Sequence, residues 1–151
     1  MPAGSESALT LPHTWRPLGP RIAGSVAFGL LLVVCAFAWF GFDAETRAKF
    51  TILQRGTLVG IGLLIFSLVF ALIRSRVVAE TGRLVVINGY RRHEFAWAEV
   101  VAVHLPPGAP WVTLDLADGS STSAMGIQGS DGVRAKSAVR QLRALLAEHS
   151  A

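Results

Sequence analysis

The sequence predicts a membrane α-helical hairpin followed by a small α+β domain, a curved sheet of about six to seven strands closed by a C-terminal amphipathic helix. Three observations carry that expectation. Charge is scarce and unevenly spread: 16% of the 151 residues are charged, against about a quarter in ordinary globular chains, and residues 22–42 and 56–73 contain no Asp, Glu, Lys, Arg or His. After residue 74 the continuous apolar runs give way to short segments separated by turn residues. The chain then closes on a stretch whose apolar positions repeat at helical spacing. The hydrophobic share of 52% excludes a disordered chain. A single cysteine, Cys35, inside the first apolar run excludes a disulfide scaffold.

The expected layout is an N-terminal tail over residues 1–21, a first span over 22–42, a short loop over 43–55, a second span over 56–73 and a domain over 74–151. A hydrocarbon core about 30 Å thick takes about 20 helical residues. The first run meets that length without help; the second meets it with little tilt, Arg55 and Arg74 reaching for the headgroups. Trp15, Trp39, Phe40, Phe42 and Phe50 fall where aromatic rings favour a membrane interface. A signal peptide cleaved after Ala36-Phe37-Ala38 is a weaker reading, because the run begins late, exceeds the usual 7 to 15 or so residues and is followed by another span. Lipidation of Cys35 is disfavoured by the bulk of Val34 before it. Gly56 and Gly60 form a small-xxx-small pair suited to close helix packing, either inside the hairpin, the simpler reading, or against another copy.

Orientation follows from the flanking cations. Arg16, Arg21, Arg74, Arg76, Arg83, Arg91 and Arg92 lie on one side and Arg47, Lys49 and Arg55 on the other, so the positive-inside rule places both termini of a multi-pass plasma-membrane protein in the cytoplasm.

Within the domain, residues 77–81 and 84–87 flank Gly82, and Asn88-Gly89 joins the latter to residues 90–95. Asn-Gly is a strong hairpin signal, because a type I′ turn needs positive φ at both central residues. Residues 100–105 alternate with Val101, Val103 and Leu105 expected inward, until the loop Pro106-Pro107-Gly108-Ala109-Pro110 stops them. Residues 111–116 alternate again with Val112, Leu114 and Leu116 inward, and Asp118-Gly119 turns the chain into residues 121–125. Gly126-Ile127-Gln128-Gly129-Ser130 reads as a chain reversal that admits the last helix, with Ser130 or Asp131 as its N-cap. On that helix Ala135, Ala138, Val139, Leu142, Leu145 and Leu146 share one apolar arc.

A two-helix hairpin followed by Trp97-x-Glu99-Val100, Pro110-Trp111-Val112-Thr113-Leu114, Asp118-Gly119 and Ala124-Met125-Gly126-Ile127-Gln128 resembles the actinobacterial membrane proteins with a bacterial PH domain, of the low-molecular-weight protein antigen 6 type. The resemblance runs from about Trp15 to Leu146 and implies a PH-like split β-barrel with a C-terminal helix, and no enzyme.

No catalytic constellation emerges from the residues themselves. His13, His93, His104 and His149 are scattered without metal-ligand spacing, and Asp115 and Asp118 read as a solvent-facing strand position and a turn former. No cofactor or metal is expected. The function expected is a non-enzymatic, membrane-anchored interaction or scaffold module that recruits a protein partner, because sheet edges and a helix-flanked groove suit capture of a chain segment. The alternative is contact with anionic lipid headgroups through Arg74, Arg76, Arg83, Arg91 and Arg92, each worth about 1 kcal/mol near a charged surface. The turn around Thr81-Gly82-Arg83, expected to join the first two strands, offers one arginine and no basic cluster for an inositol phosphate. Nucleic acid is a poor partner despite a pI near 10.2: from Arg74 onward nine basic residues face seven acidic ones, a net of +2.

Overall fold

The computed structural model describes residues 9–149; residues 1–8 of the expected tail and 150–151 of the expected domain lie outside that range. The described chain forms two compact units. One joins the residues up to Leu18 with those from Arg74 onward, and the other is Gly19–Ile73.

The second unit holds α1 (Gly19–Gly41), α2 (Ala44–Lys49) and α3 (Ile52–Arg74). Helices α1 and α3 are long and apolar enough to cross a membrane. Neither has a buried residue, which a core helix of similar apolarity in a soluble protein would have. Helix α3 begins earlier than expected because Thr51 and Gln54 cap each other: the Thr51 N–H donates to Gln54 Oε1 at 2.9 Å and the Gln54 N–H to Thr51 Oγ1 at 3.2 Å. The intervening turn is itself helical, since Asp43 accepts the Thr46 N–H at 2.6 Å. That bond holds the Asp43 carboxyl below the usual carboxylate range. Phe50 stacks on Phe42 and meets the edge of Trp39, whose ring also carries the Arg55 guanidinium at 5.3 Å. The two long helices meet where Gly24 leaves room for Val69 and Phe28 meets Phe66 at 5.7 Å. Gly56 and Gly60 look onto open space instead. Packing inside the hairpin therefore uses Gly24, not the small-xxx-small pair.

The other unit contains seven antiparallel strands in two sheets and one helix. Strands β1 (His13–Trp15), β2 (Arg76–Ala79), β3 (Arg83–Asn88) and β4 (Arg91–Ala96) form the first sheet in that order; β5 (Val100–His104), β6 (Trp111–Leu116) and β7 (Ser121–Gln128) form the second. Helix α4 (Val133–His149) buries Ala135, Ala138, Val139, Leu142, Leu145 and Leu146, all six residues of the expected arc. This is the expected split barrel with a C-terminal helix. Asn88 ties the sheets together, accepting the Met125 N–H at 2.9 Å and donating to the Ser123 carbonyl.

Several local expectations change. Residues 13–15, read from sequence as part of the N-terminal tail, form β1, with Trp15 opposite Val77 and His13 opposite Ala79. Trp15 is not an interfacial ring: it is 7% exposed in the barrel core, and its Nε1–H donates to Gln141 Oε1 at 2.9 Å. The hairpin helices are thus an insertion between two paired strands, and the turn at Thr81-Gly82-Arg83 joins β2 to β3. Val101 faces outward at 65% exposure because a β-bulge between Val100 and Ala102 resets the alternation and sends Val100 and Val103 inward.

Gly126 to Gln128 continue β7 and do not reverse the chain. A Cβ on Gly126 would lie 2.5 Å from the backbone of Arg76 and Val77, so the glycine is where β7 crosses β2. The reversal falls on the 3₁₀ turn Gly129–Asp131. Helix α4 then begins at Val133, past both expected caps, Ser130 and Asp131, with the Gly132 carbonyl accepting from the Lys136 N–H, and Asp131 accepts the N–H of Leu18 at 2.9 Å.

Candidate functional site

Three surfaces of the domain present groups able to bind something. The first is β4, where Tyr90, Arg91, Arg92 and His93 are exposed after the Asn-Gly turn. Glu94 dominates its electrostatics. Arg83 reaches Glu80 and Glu94 at 2.6 Å each, and Arg92 reaches the other oxygen of Glu94 at 2.6 Å. These acceptors hold the Arg83 guanidinium still more firmly protonated, the Glu80 bond contributing most. Two of the five arginines singled out from sequence are therefore neutralised locally by two glutamates. Arg74 and Arg91 remain exposed and Arg76 half-buried.

The second surface is the outer edge of β5. Among the described residues β5 pairs only with β6, so its other edge meets no strand; Val101 is the extra residue of the bulge in the β6 ladder. A groove of about 490 Å³ runs between this edge and α4, lined by Val101 to His104 on one side and Arg143, Leu146 and Ala147 on the other. The Arg143 guanidinium already donates twice to the Val103 carbonyl, at 2.7 and 3.0 Å. It covers one acceptor of that edge. His104, next to the groove, pairs with Asp115 on β6 at 2.7 Å. Asp115 thus serves a cross-strand contact, and Asp118 makes its turn by accepting the Ser120 hydroxyl and N–H, bonds that keep its carboxyl below the ordinary range.

The third is a cleft of about 240 Å³ where the end of β1, β7 and the start of α4 converge. His13, Arg16, Asp131 and Arg134 are its titratable lining residues. Neither Arg16 nor Arg134 forms an ion pair among the described residues. Sequence reasoning missed this pairing; no spacing rule links residues on a strand and a helix that meet only through the fold. Among the described residues no three His, Cys, Asp or Glu side chains gather as metal ligands. The chemistry these surfaces offer is binding.

Comparison with known proteins agrees with that. Residues 74–145 match the model of the family described as bacterial PH domain. Uncharacterized proteins of Mycobacterium bovis and Mycobacterium tuberculosis are 31% identical to this chain over 144 residues, covering 91% of it and 87% of the relative. No solved structure matches significantly.

Proposed function

The chain belongs to the bacterial PH domain family, generally one of non-enzymatic interaction modules, and from that premise we propose that it is a membrane-anchored module whose domain holds an extended segment of a protein partner. The observation that carries this reading is the outer edge of β5, which no described strand pairs, beside an apolar groove along α4. A segment laid along that edge would gain main-chain hydrogen bonds from β5 and side-chain contacts from Leu146 and Ala147. A photo-crosslinking residue at Val101 of the full-length chain in its native cells is expected to give a discrete protein adduct. The same residue at Arg91 on β4 is expected not to give it. Identical adducts from both positions, or none from Val101, would remove the assignment.

The reading includes insertion of α1 and α3 in the plasma membrane with both termini in the cytoplasm, supported by the apolarity and exposure of the two helices and by the seven-to-three cation asymmetry. It also includes the finer kinship with the low-molecular-weight antigen 6 type. Cysteines at Thr46 and Ser121 test the orientation in intact cells: an impermeant reagent is expected to label position 46 and spare 121, and the reverse pattern would invert the topology.

Headgroup contact through Arg74, Arg76, Arg83, Arg91 and Arg92 is less well supported, since Glu80 and Glu94 already engage Arg83 and Arg92.

A further inference from the structure

We propose that the cleft between β1, β7 and the start of α4 binds a phosphate group, presented by the headgroup of an anionic phospholipid. Arg16, just after β1, and Arg134, at the start of α4, line one small concavity and have no carboxylate partner within ion-pair distance among the described residues. Planar guanidinium forks match phosphate oxygens in pairs, so two of them beside one cleft form a site with an unmet charge of definite sign. His13, stacked edge-on against Trp15 at 4.7 Å, adds a third donor on the β1 wall. Asp131 is the opposing charge in the lining, and its carboxylate accepts the Leu18 N–H at 2.9 Å. That leaves a net charge of +1 with His13 neutral and +2 with it protonated.

Size and connectivity narrow the occupant. At about 240 Å³ the cleft is smaller than the roughly 300–1,000 Å³ of sites for drug-sized ligands, which suits a single phosphate of a small headgroup. Only Pro17 and Leu18 separate Arg16 from the first residue of α1. At about 3.3–3.6 Å per residue, Arg16 is within roughly 10 Å of chain from a helix proposed above to enter the bilayer. The inference rests on that insertion and is independent of the β5 groove.

The test uses the full-length chain in neutral detergent, titrated with short-chain phosphatidylglycerol or phosphatidylcholine and followed by native mass spectrometry. Arg16→Gln and Arg134→Gln are each expected to weaken phosphatidylglycerol binding about fivefold and together about 30-fold, with phosphatidylcholine unaffected. Asp131→Asn keeps an acceptor for Leu18 while removing the opposing charge, and is expected to tighten binding, a gain that a merely structural role would not produce. Arg91→Gln is expected to change nothing. All three arginines are exposed, and unchanged melting of the variants checks that the fold is intact. Phosphatidylglycerol affinity unaltered in the double variant, or lowered equally by Arg91→Gln, would overturn the site. Inorganic phosphate binding to the cleft without a preference for the anionic lipid would keep the phosphate chemistry and overturn the lipid as its source.

Discussion

Trp15→Ala is expected to destabilise the barrel strongly while leaving the two long helices folded. The indole fills the core beside Val77, and its ring nitrogen reaches Gln141 on the closing helix. One truncation therefore removes a large buried ring and leaves the Gln141 carbonyl without its donor. Tryptophan-to-alanine changes in cores cost about 3–5 kcal/mol, a large part of the roughly 5–15 kcal/mol that holds a whole domain together. Amide exchange on the full-length chain in detergent should show protection of β2 and β3 falling by roughly 10²- to 10³-fold. Protection in α1 and α3 should stay as it was. Undiminished protection in β2 would mean that β1 is dispensable. The converse substitution is as informative. Because Trp15 and Val77 are register partners, replacing residues 19–73 by a short glycine- and asparagine-rich turn should give a water-soluble domain that melts cooperatively. A fragment beginning at residue 74 should not, since it lacks the edge strand and the ring.

Gly126→Ala is the second change with a large expected effect. The new methyl would sit 2.5 Å from the backbone of Arg76 and Val77, and backbone, unlike a side-chain tip, cannot swing aside. Relief requires β7 to separate from β2, which breaks the barrel at the crossing between its two sheets. Overpacking of this kind costs about 3 kcal/mol or more, a fall in Tm on the order of 10–20 °C for a domain this small. Gly82→Ala makes the control: a Cβ there meets open space, so its melting should match the parent. Equal melting of the two variants would show that the crossing is looser than described.

Where the fold was legible in the sequence, the reason was repetition. Helix α4 repeats its apolar positions over about three turns, and all six arc residues are buried. The hairpin at Asn88-Gly89 announces itself by composition, but the expected type I′ turn is not formed: Asn88 ends β3 opposite Arg91, so the two-residue loop is Gly89-Tyr90, and Gly89 alone has positive φ, as the first central residue of a II′ turn does. Strand β1 could not be read: its three residues, among the four between Pro12 and Pro17, show no alternation, and the partner strand lies beyond three helices. The bulge at Val101 was hidden because a strand's sequence does not record an extra residue in the ladder.

At the candidate sites the picture is similar. The neutralisation of Arg83 and Arg92 was partly visible, since Glu94 lies two residues after Arg92 on one face of a strand and Glu80 lies across a turn from Arg83. The convergence of Arg16 and Arg134 was not, because it depends on β1 joining the sheet. The open β5 edge follows from the chain dividing into two sheets, a global outcome with no local signal.

Inserting the hairpin between β1 and β2 also fixes a schedule. Trp15 and Gln141 are 126 positions apart, and at about 5–20 residues per second a ribosome takes roughly 6–25 s to travel from one to the other. The opening tryptophan must wait through the delivery of both long helices before the glutamine that secures it exists. The barrel therefore closes only after α4 has been made, and anything that shields the β1 segment meanwhile, chaperone or membrane surface, keeps it available for that closure.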